Sequence, residues 1–274
     1  MIIRILIIFF LFIGSISIAQ TKSFEWKKYS VSYQIDSLSD WQVDLLENVF
    51  VFKKNIIQKY DSVGLLKFSE SQKKIGEIVK LIPLNAMKIW LFSEEQQLIC
   101  SLDNTLTNLF DCLELEDLEC EYVTKIAASS QPNKVWIFDQ VNYNLMFYSM
   151  NGTNQSQRIT NLNQTLGLNQ LEKIEEFENR LFLFDKEKGL YILDIYGTLI
   201  QHFPIENTSS VLLDSKFIAV NHGNKLKLID YQGVNFLEID LPAELKNIQE
   251  IKKVGNNYFF RTKNQVLKYR LVLN

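Results

Sequence analysis

Short apolar and aromatic runs recur along the chain at intervals of about forty residues. The second residues of successive runs lie 40, 46, 46, 36 and 41 positions apart. The runs occupy residues 49–52, 89–92, 135–138, 181–184, 217–220 and 258–260. They are apolar at every position, a pattern typical of strands that are buried on both faces, as when successive sheets pack together. The spacing therefore predicts six equivalent units.

A polar turn and a second apolar stretch follow each run. These stretches end in an Asp-x-x-Gly signature, which is complete at Asp61, Asp194 and Asp230 and altered at Asp103 and Ser149. In such a turn the aspartate accepts hydrogen bonds from the backbone two residues on, and the glycine supplies a positive φ. We therefore expect these aspartates to form hairpin turns, with metal or ligand contact as the alternative.

Further candidate strands precede each run and follow each turn, whereas helical periodicity is nearly absent. The sequence thus predicts an all-β chain with four strands in each unit. Packed radially, six such sheets make a six-bladed β-propeller, and six blades of roughly 42 residues account for about 250 residues. Trp90, Trp136 and Phe182 should then lie between blades with little exposure. Seven blades are the alternative, although the chain has no seventh aromatic run.

The two ends of the chain complement each other. The sixth unit stops after its third strand at Asn274, and the extended stretch at residues 24–36 has no unit of its own. We predict that this stretch supplies the missing outer strand. The ring would then be closed within one blade, which removes an exposed sheet edge.

The first 19 residues have the features of a secretory signal peptide. Arg4 precedes an apolar stretch, and Ser17 and Ala19 supply the small side chains that signal peptidase needs, so we place cleavage after Ala19. A transmembrane anchor is the alternative, but the apolar run at residues 5–19 has 15 residues, and a bilayer core requires about 20. We expect residues 20–274 to form a single propeller domain, periplasmic or secreted, with no membrane span after signal cleavage.

Export permits disulfide bonds, and the predicted mature chain contains three cysteines, Cys100, Cys112 and Cys120. One thiol must be left over, and three pairings are open. We favour Cys112 with Cys120, while buried, unbonded thiols are the alternative.

The six acidic residues in the stretch 111–121 are expected to form a solvated loop, or else a patch for calcium or a cationic partner.

Composition excludes several classes of function. The chain has 29 basic and 32 acidic residues, a net charge of −3 and no basic stripe, so nucleic acid is not expected as a partner. His202 and His222 are the only histidines, which rules out a multi-histidine metal site. A Gly-x-Ser-x-Gly nucleophile elbow is also absent from the sequence. The acidic residues that could instead converge on a calcium or zinc ion are Asp44, Glu77, Glu121, Glu172 and Glu175.

The repeat resembles the NHL-like and TolB-like six-bladed β-propellers, including exported bacterial versions. The likeness covers residues 24–274 and rests on segments such as LFLFDKEKGLYILDIYGTLI at residues 181–200. It implies binding at one mouth of a central channel, where the loop between the second and third strands of a blade meets the loop that joins two blades. At such a mouth we expect Asp139, Tyr143, Asp185 and His222 as binding residues. Solvated hairpin tips without a binding role are the alternative.

Propellers of this kind are most often binding platforms, and a minority are lactone hydrolases, lyases or similar enzymes. No catalytic motif of the family matches here. We expect a non-enzymatic binding or scaffold protein, monomeric and without a cofactor, that presents one face to a protein or glycan partner. The alternative is a cation-dependent hydrolase or lyase of the lactonase-like type, which convergent carboxylates at a channel mouth would favour. An aromatic-lined mouth would favour a sensor of small molecules or peptides.

Overall fold

Six antiparallel sheets of four strands each are present in the computed structural model, which describes residues 24–110, 112–151, 157–205 and 211–273. The chain therefore folds as the predicted six-bladed β-propeller. The predicted signal peptide, residues 1–19, lies outside the described residues. Within those residues, no helix is long and apolar enough to cross a membrane.

The strands follow one another from the inner to the outer edge of each blade. The exception is β1 (Phe24–Gln34), which belongs to the last blade. Blade 1 contains β2 (Asp40–Val43), β3 (Val49–Lys53), β4 (Ile56–Tyr60) and β5 (Leu66–Ser71). Blade 2 contains β6 (Lys80–Pro83), β7 (Lys88–Ser93), β8 (Leu98–Asp103) and β9 (Leu113–Glu114). Blade 3 contains β10 (Val123–Ala128), β11 (Lys134–Asp139), β12 (Asn144–Ser149) and β13 (Gln157–Ile159).

The second half of the ring repeats this arrangement. Blade 4 contains β14 (Leu171–Phe177), β15 (Arg180–Asp185), β16 (Gly189–Asp194) and β17 (Leu199–Phe203). Blade 5 contains β18 (Val211–Leu213), β19 (Phe217–His222), β20 (Lys225–Asp230) and β21 (Phe236–Asp240). Blade 6 contains β22 (Glu250–Val254), β23 (Asn257–Arg261) and β24 (Gln265–Leu273), with β1 at its outer edge. A 3-10 helix (Leu115–Leu118) and helix α1 (Leu162–Leu166) lie in loops that join blades.

The ring is closed by strands from the two ends of the chain, as the sequence predicts. Strand β1 pairs antiparallel with β24, with Phe24 opposite Leu273 and Gln34 opposite Gln265. The same opening strand contacts blade 5, because the indole Nε1 of Trp26 donates a hydrogen bond to the carbonyl oxygen of Asp240 at 2.8 Å. Blade 6 therefore contains both ends of the described chain, and its opening strand is also bonded to blade 5.

Six clusters of buried apolar side chains fill the spaces between successive blades. Trp90 packs between blades 2 and 3, Trp136 between blades 3 and 4, and Phe182 between blades 4 and 5. Their exposed fractions are 1%, 0% and 0%. These aromatic residues are thus buried between blades, as predicted, and the core of the protein is a ring of six seams.

The Asp-x-x-Gly segments form turns, as predicted. Asp194 Oδ1 accepts hydrogen bonds from the backbone N–H groups of Tyr196 at 2.9 Å and Thr198 at 2.8 Å. Gly197 has a φ of 93°, and a Cβ atom there would come within 2.6 Å of an Ile159 methyl group. In blade 2 the glycine is missing, and Leu106 adopts the positive φ, at 70°. The turn therefore forms in blade 2 although leucine, unlike glycine, disfavours a positive φ.

The disulfide bond joins Cys100 on β8 to Cys112, immediately before β9, so the predicted Cys112–Cys120 pair is wrong. The chain leaves β8 in a turn and then runs back alongside it, because Leu109 N–H donates to the Ser101 carbonyl oxygen at 2.9 Å. This return brings Cys112 beside Cys100, whereas Cys120 lies beyond the 3-10 helix with a free thiol. Burial raises the pKa of Cys120 to about 11. The disulfide thus anchors an outer strand of only two residues.

We expect replacement of Trp90, Trp136 or Phe182 by alanine to lower the free energy of unfolding by about 3 to 5 kcal/mol, because each change opens a cavity in a seam. Urea denaturation of the three variants measures this loss. Tyr196→Ala is the matched control, since Tyr196 is 74% exposed. Midpoints near that of the wild type for the three seam variants would contradict the blade assignment.

Reduction of the disulfide should lower the free energy of unfolding by about 3 kcal/mol, because the bond closes a short loop in the unfolded chain. Urea denaturation with and without dithiothreitol measures the effect. The Cys120→Ser variant should show the same loss on reduction as the wild type. If that variant were insensitive to reduction, Cys120 would belong to the disulfide after all.

Candidate functional site

One end of the propeller carries both the hairpins between second and third strands and the loops that join successive blades. We call this end the loop face, and the opposite end, with the Asp-x-x-Gly turns, the turn face. All four predicted binding residues belong to hairpins of the loop face: Asp139 and Tyr143 in blade 3, Asp185 in blade 4 and His222 in blade 5. The structure thus places them on one face but on three different blades.

The Asp185 carboxylate holds a hairpin against an inter-blade loop. It is fully buried. Its Oδ1 accepts from the N–H groups of Glu187 at 3.0 Å and Lys188 at 2.9 Å. Its Oδ2 accepts from the N–H groups of Asn169 at 2.8 Å and Gln170 at 2.9 Å. Desolvation by itself would raise the pKa of Asp185, but these backbone donors outweigh it and hold the pKa below its usual range.

Asp139 has the same role one blade earlier. Its carboxylate accepts from the backbone N–H groups of Glu121 at 3.2 Å and Tyr122 at 3.3 Å in the loop from blade 2, and from Val141 at 3.1 Å in its own hairpin. Asn142 Nδ2 donates a further bond at 2.8 Å. Both aspartates directly follow an aromatic run, and this position in the repeat is the sequence signal for their structural role.

Tyr143 and His222 differ from the two aspartates. Tyr143 is half-buried, has a φ of 50° and donates its hydroxyl hydrogen to the Asn169 carbonyl oxygen at 3.0 Å, which links blades 3 and 4. His222 is exposed at the hairpin between β19 and β20. A binding role for any of the four stays a prediction.

A second constellation, which the sequence analysis did not assemble, lies in the central channel. The inner strands place alternate residues toward the axis, and the residues between them are buried in the seam with the preceding blade: Trp41, Leu81, Ile126, Ile174, Val211 and Ile251. Equivalent cross-strand positions define two rings of channel residues. The ring nearer the loop face is Asp40, Lys80, Lys125, Lys173 and Glu250, and its position in blade 5 falls outside the described residues. The second ring is Gln42, Ile82, Ala127, Glu175, Leu212 and Lys252.

The two glutamates of the channel are both paired with lysines. Lys173 Nζ lies 2.7 Å from Glu175 Oε1, and Lys252 Nζ lies 2.7 Å from Glu250 Oε1. Trp41 Nε1 donates a hydrogen bond to the other oxygen of Glu250 at 2.6 Å. Each pair comes from residues two apart on a single inner strand, so strand alternation alone brings the partners together.

Lys80 is the exception among the charged residues of this cavity. In the part of the chain that the structure describes, its ammonium group takes part in no ion pair or hydrogen bond. Removal from bulk water, together with the positive charge of Lys173, lowers the pKa of Lys80 to about 8, although Glu175 and Glu250 oppose the shift. The cavity has a volume of about 410 Å³, and its charged lining residues are Lys80, Lys173, Lys252 and Lys253 with Glu175, Glu176 and Glu250. The cavity therefore has one positive charge in excess when Lys80 is protonated.

The lysines of the channel also lower the pKa of Glu175. Desolvation would raise it, but Lys173 and then Lys80 outweigh desolvation and hold the pKa of Glu175 below its usual range. The pKa of Glu250 is lowered in the same way, with Lys252 as the largest opposing influence. Lysines from blades 2, 4 and 6 thus keep both carboxylates ionised.

The acidic residues that the sequence offered as metal ligands do not converge. Glu175 lies in the channel and Glu172 lines its mouth at the loop face. Asp44 is buried in a turn-face hairpin, where it accepts from the N–H of Asn48 at 2.8 Å. Glu77 and Glu121 are exposed. Among the described residues, no group of three or more His, Cys, Asp and Glu side chains is placed to hold a metal ion.

Comparisons with known proteins identify the class of fold. No family model and no curated protein sequence matches the chain. A streptogramin B lyase structure is similar at 16% identity and a TM-score of 0.56, over 92% of this chain and 98% of that one. An inactive virginiamycin B lyase from Staphylococcus aureus, solved with quinupristin, is 12% identical with a TM-score of 0.58, over 91% and 100%.

A third similar structure is the Pan2 WD40 domain of Neurospora crassa, 8% identical with a TM-score of 0.63, over 89% of this chain and 95% of that one. At identities this low, likeness shows the fold alone. The protein is a six-bladed β-propeller, and its function must be argued from its own residues.

We expect Asp185→Asn to lower the free energy of unfolding by about 2 kcal/mol at pH 7, because hydrogen bonds to a charged acceptor are lost. The folded-state pKa of Asp185 lies below its unfolded value, so this stabilisation is present above about pH 3.9 and is lost as the pH falls through the folded pKa. The difference between variant and wild type should therefore shrink at pH 3. Urea denaturation at both pH values tests this, with the exposed Asp240→Asn as the control. An unchanged variant, or a loss of equal size at both pH values, would contradict the structural role.

Proposed function

We propose that the mature chain is an exported, non-enzymatic binding or scaffold protein that presents the loop face to a protein or glycan partner. The observation that carries this proposal is the pairing of Glu175 with Lys173 and of Glu250 with Lys252 in the central channel. These contacts neutralise the carboxylates that the fold directs toward the axis. These two carboxylates are therefore not free to coordinate a cation, and contact with a partner is assigned to the loop face.

A cation-dependent enzyme of the lactonase-like type, the alternative, would need the channel carboxylates as metal ligands. A divalent cation in the channel needs several oxygen ligands, with carboxylates free to coordinate it. Here each channel glutamate has a lysine ammonium at 2.7 Å, and Lys80 adds a further positive charge nearby. A cation would have to displace these lysines against their repulsion. The pairing of the channel glutamates with lysines therefore favours a binding protein over a cation-dependent hydrolase or lyase.

The loop face suits a partner because its loops are held in place before binding. Asp139 and Asp185 tie their hairpins to the inter-blade loops through buried hydrogen bonds. Loops that are ordered in advance lose less conformational entropy when they bind. The same face exposes Tyr122 at 40% and Val141 at 52%. Aromatic and aliphatic side chains among polar groups are typical of binding surfaces.

Site-specific photo-crosslinking in the producing cell tests which face binds. We expect a photoreactive amino acid at Val141 or His222, on the loop face, to give a discrete covalent adduct with a partner. The matched positions on the turn face are Tyr196 and Val234, which are 74% and 71% exposed and should give none. Adducts from the turn-face positions alone, or from no position on either face, would contradict the proposal.

A further inference from the structure

We propose that the central channel is a binding site for a compact organic carboxylate, whose anionic group is held by the ammonium of Lys80. This site lies inside the ring and is independent of the partner that we assign to the loop face. The inference rests on the distribution of charge among the blades, on the apolar walls of the cavity and on its size.

The charges of the cavity come from alternate blades. Blade 2 supplies Lys80, blade 4 supplies Lys173, Glu175 and Glu176, and blade 6 supplies Glu250, Lys252 and Lys253. Lys253 pairs with Asp214, and Glu176 accepts hydrogen bonds from Trp136 and Ser130. In blades 4 and 6 the lysine is neutralised by the glutamate two positions away on the same strand. In blade 2 the residue two positions after Lys80 is Ile82, so its strand supplies no carboxylate. The ammonium group of Lys80 is therefore left for a ligand to neutralise.

The other walls of the cavity are apolar. Ala127 of blade 3 and Val211 and Leu213 of blade 5 line it together with Ile82. The cavity volume of about 410 Å³ lies within the range of small-molecule sites, roughly 300–1,000 Å³. A ligand that fits both features has one anionic group directed toward Lys80 and an apolar body against blades 3 and 5.

The charge balance selects a monoanion. The excess of one positive charge is cancelled by one carboxylate, whereas the dianion that makes up about half of inorganic phosphate at neutral pH would leave a buried negative charge uncompensated. The two channel glutamates would then repel it. The phosphate monoanion has no apolar body to contact the walls from blades 3 and 5. A neutral ligand of the same shape would leave Lys80 without a partner. We therefore expect the site to prefer a carboxylate both to its amide and to inorganic phosphate.

Binding should depend on the protonation of Lys80. The charged groups that act on it are Lys173 and Glu175 from β14 and Lys252 and Glu250 from β22. Asp40 on β2 and Lys125 on β10 belong to the same ring of channel residues. Because the pKa of Lys80 is about 8, carboxylate affinity should fall as the pH rises through 8. Binding should in turn take up protons near that pH.

The test uses the intact mature protein with benzoate as the probe, and with benzamide and inorganic phosphate as the comparison ligands. The ¹H–¹⁵N resonance of the Trp41 indole reports on the channel, since that N–H donates to Glu250. We expect benzoate to shift this resonance in a saturable manner at pH 7, with at least tenfold weaker binding of benzamide and phosphate. At pH 9 the benzoate affinity should fall by at least fivefold.

Matched lysine variants assign the effect to Lys80. Lys80→Met should abolish benzoate binding, and Lys80→Arg, which keeps the charge, should retain it. Lys186→Met removes an exposed charge from the loop face and should bind as the wild type does. Should Lys80→Met fail to fold, Lys80→Arg and the pH series still test the site. No saturable shift with benzoate, equal affinity for benzamide or phosphate, or unchanged binding in Lys80→Met would each overturn the proposal.

Discussion

Every blade of this protein buries both of its faces, and the ring must therefore be complete. Each of the six apolar clusters draws its side chains from two successive blades. The cluster at the closing seam combines Tyr33 of β1 and Phe259 of blade 6 with Trp41 and Val49 of blade 1. An open ring would expose two such apolar faces to water at once. Closure by β1 and β24 is thus the condition on which the other seams depend.

The closed ring also accounts for the charged channel. Lysines and glutamates on one isolated inner strand would be ordinary solvated residues, but the ring brings the groups of blades 2, 4 and 6 together and partly removes them from water. The seams add polar contacts to this interior. Glu250 of blade 6 accepts from Trp41 of blade 1, and Glu176 of blade 4 accepts from Trp136 of blade 3 at 2.6 Å. The seams therefore hold some of the charged side chains in fixed positions.

The sequence predicts the fold well because the fold depends on patterns within about forty residues. Fully apolar runs, Asp-x-x-Gly turns and an unpaired opening stretch were sufficient for the blade count and the closure. The disulfide was not predictable in this way, since Cys112 meets Cys100 only because the chain turns back after β8. Glu175 is among the predicted candidate metal ligands, but its pairing with Lys173 was not predictable, because Lys173 and Glu175 alternate like the solvent face of any strand. Asp139 and Asp185 are predicted from their hairpin positions as binding residues, and sequence alone does not show that backbone donors surround their carboxylates.

Backbone hydrogen exchange of the closing blade tests the central claim most directly. Strands β1 and β24 pair along most of their length, so their paired amides should exchange as slowly as those of β15 and β16 in blade 4. Mass spectrometry of peptic fragments resolves these strands. Exchange of the β1 amides within seconds, while β15 and β16 remain protected for hours, would contradict a ring that is closed by its two ends.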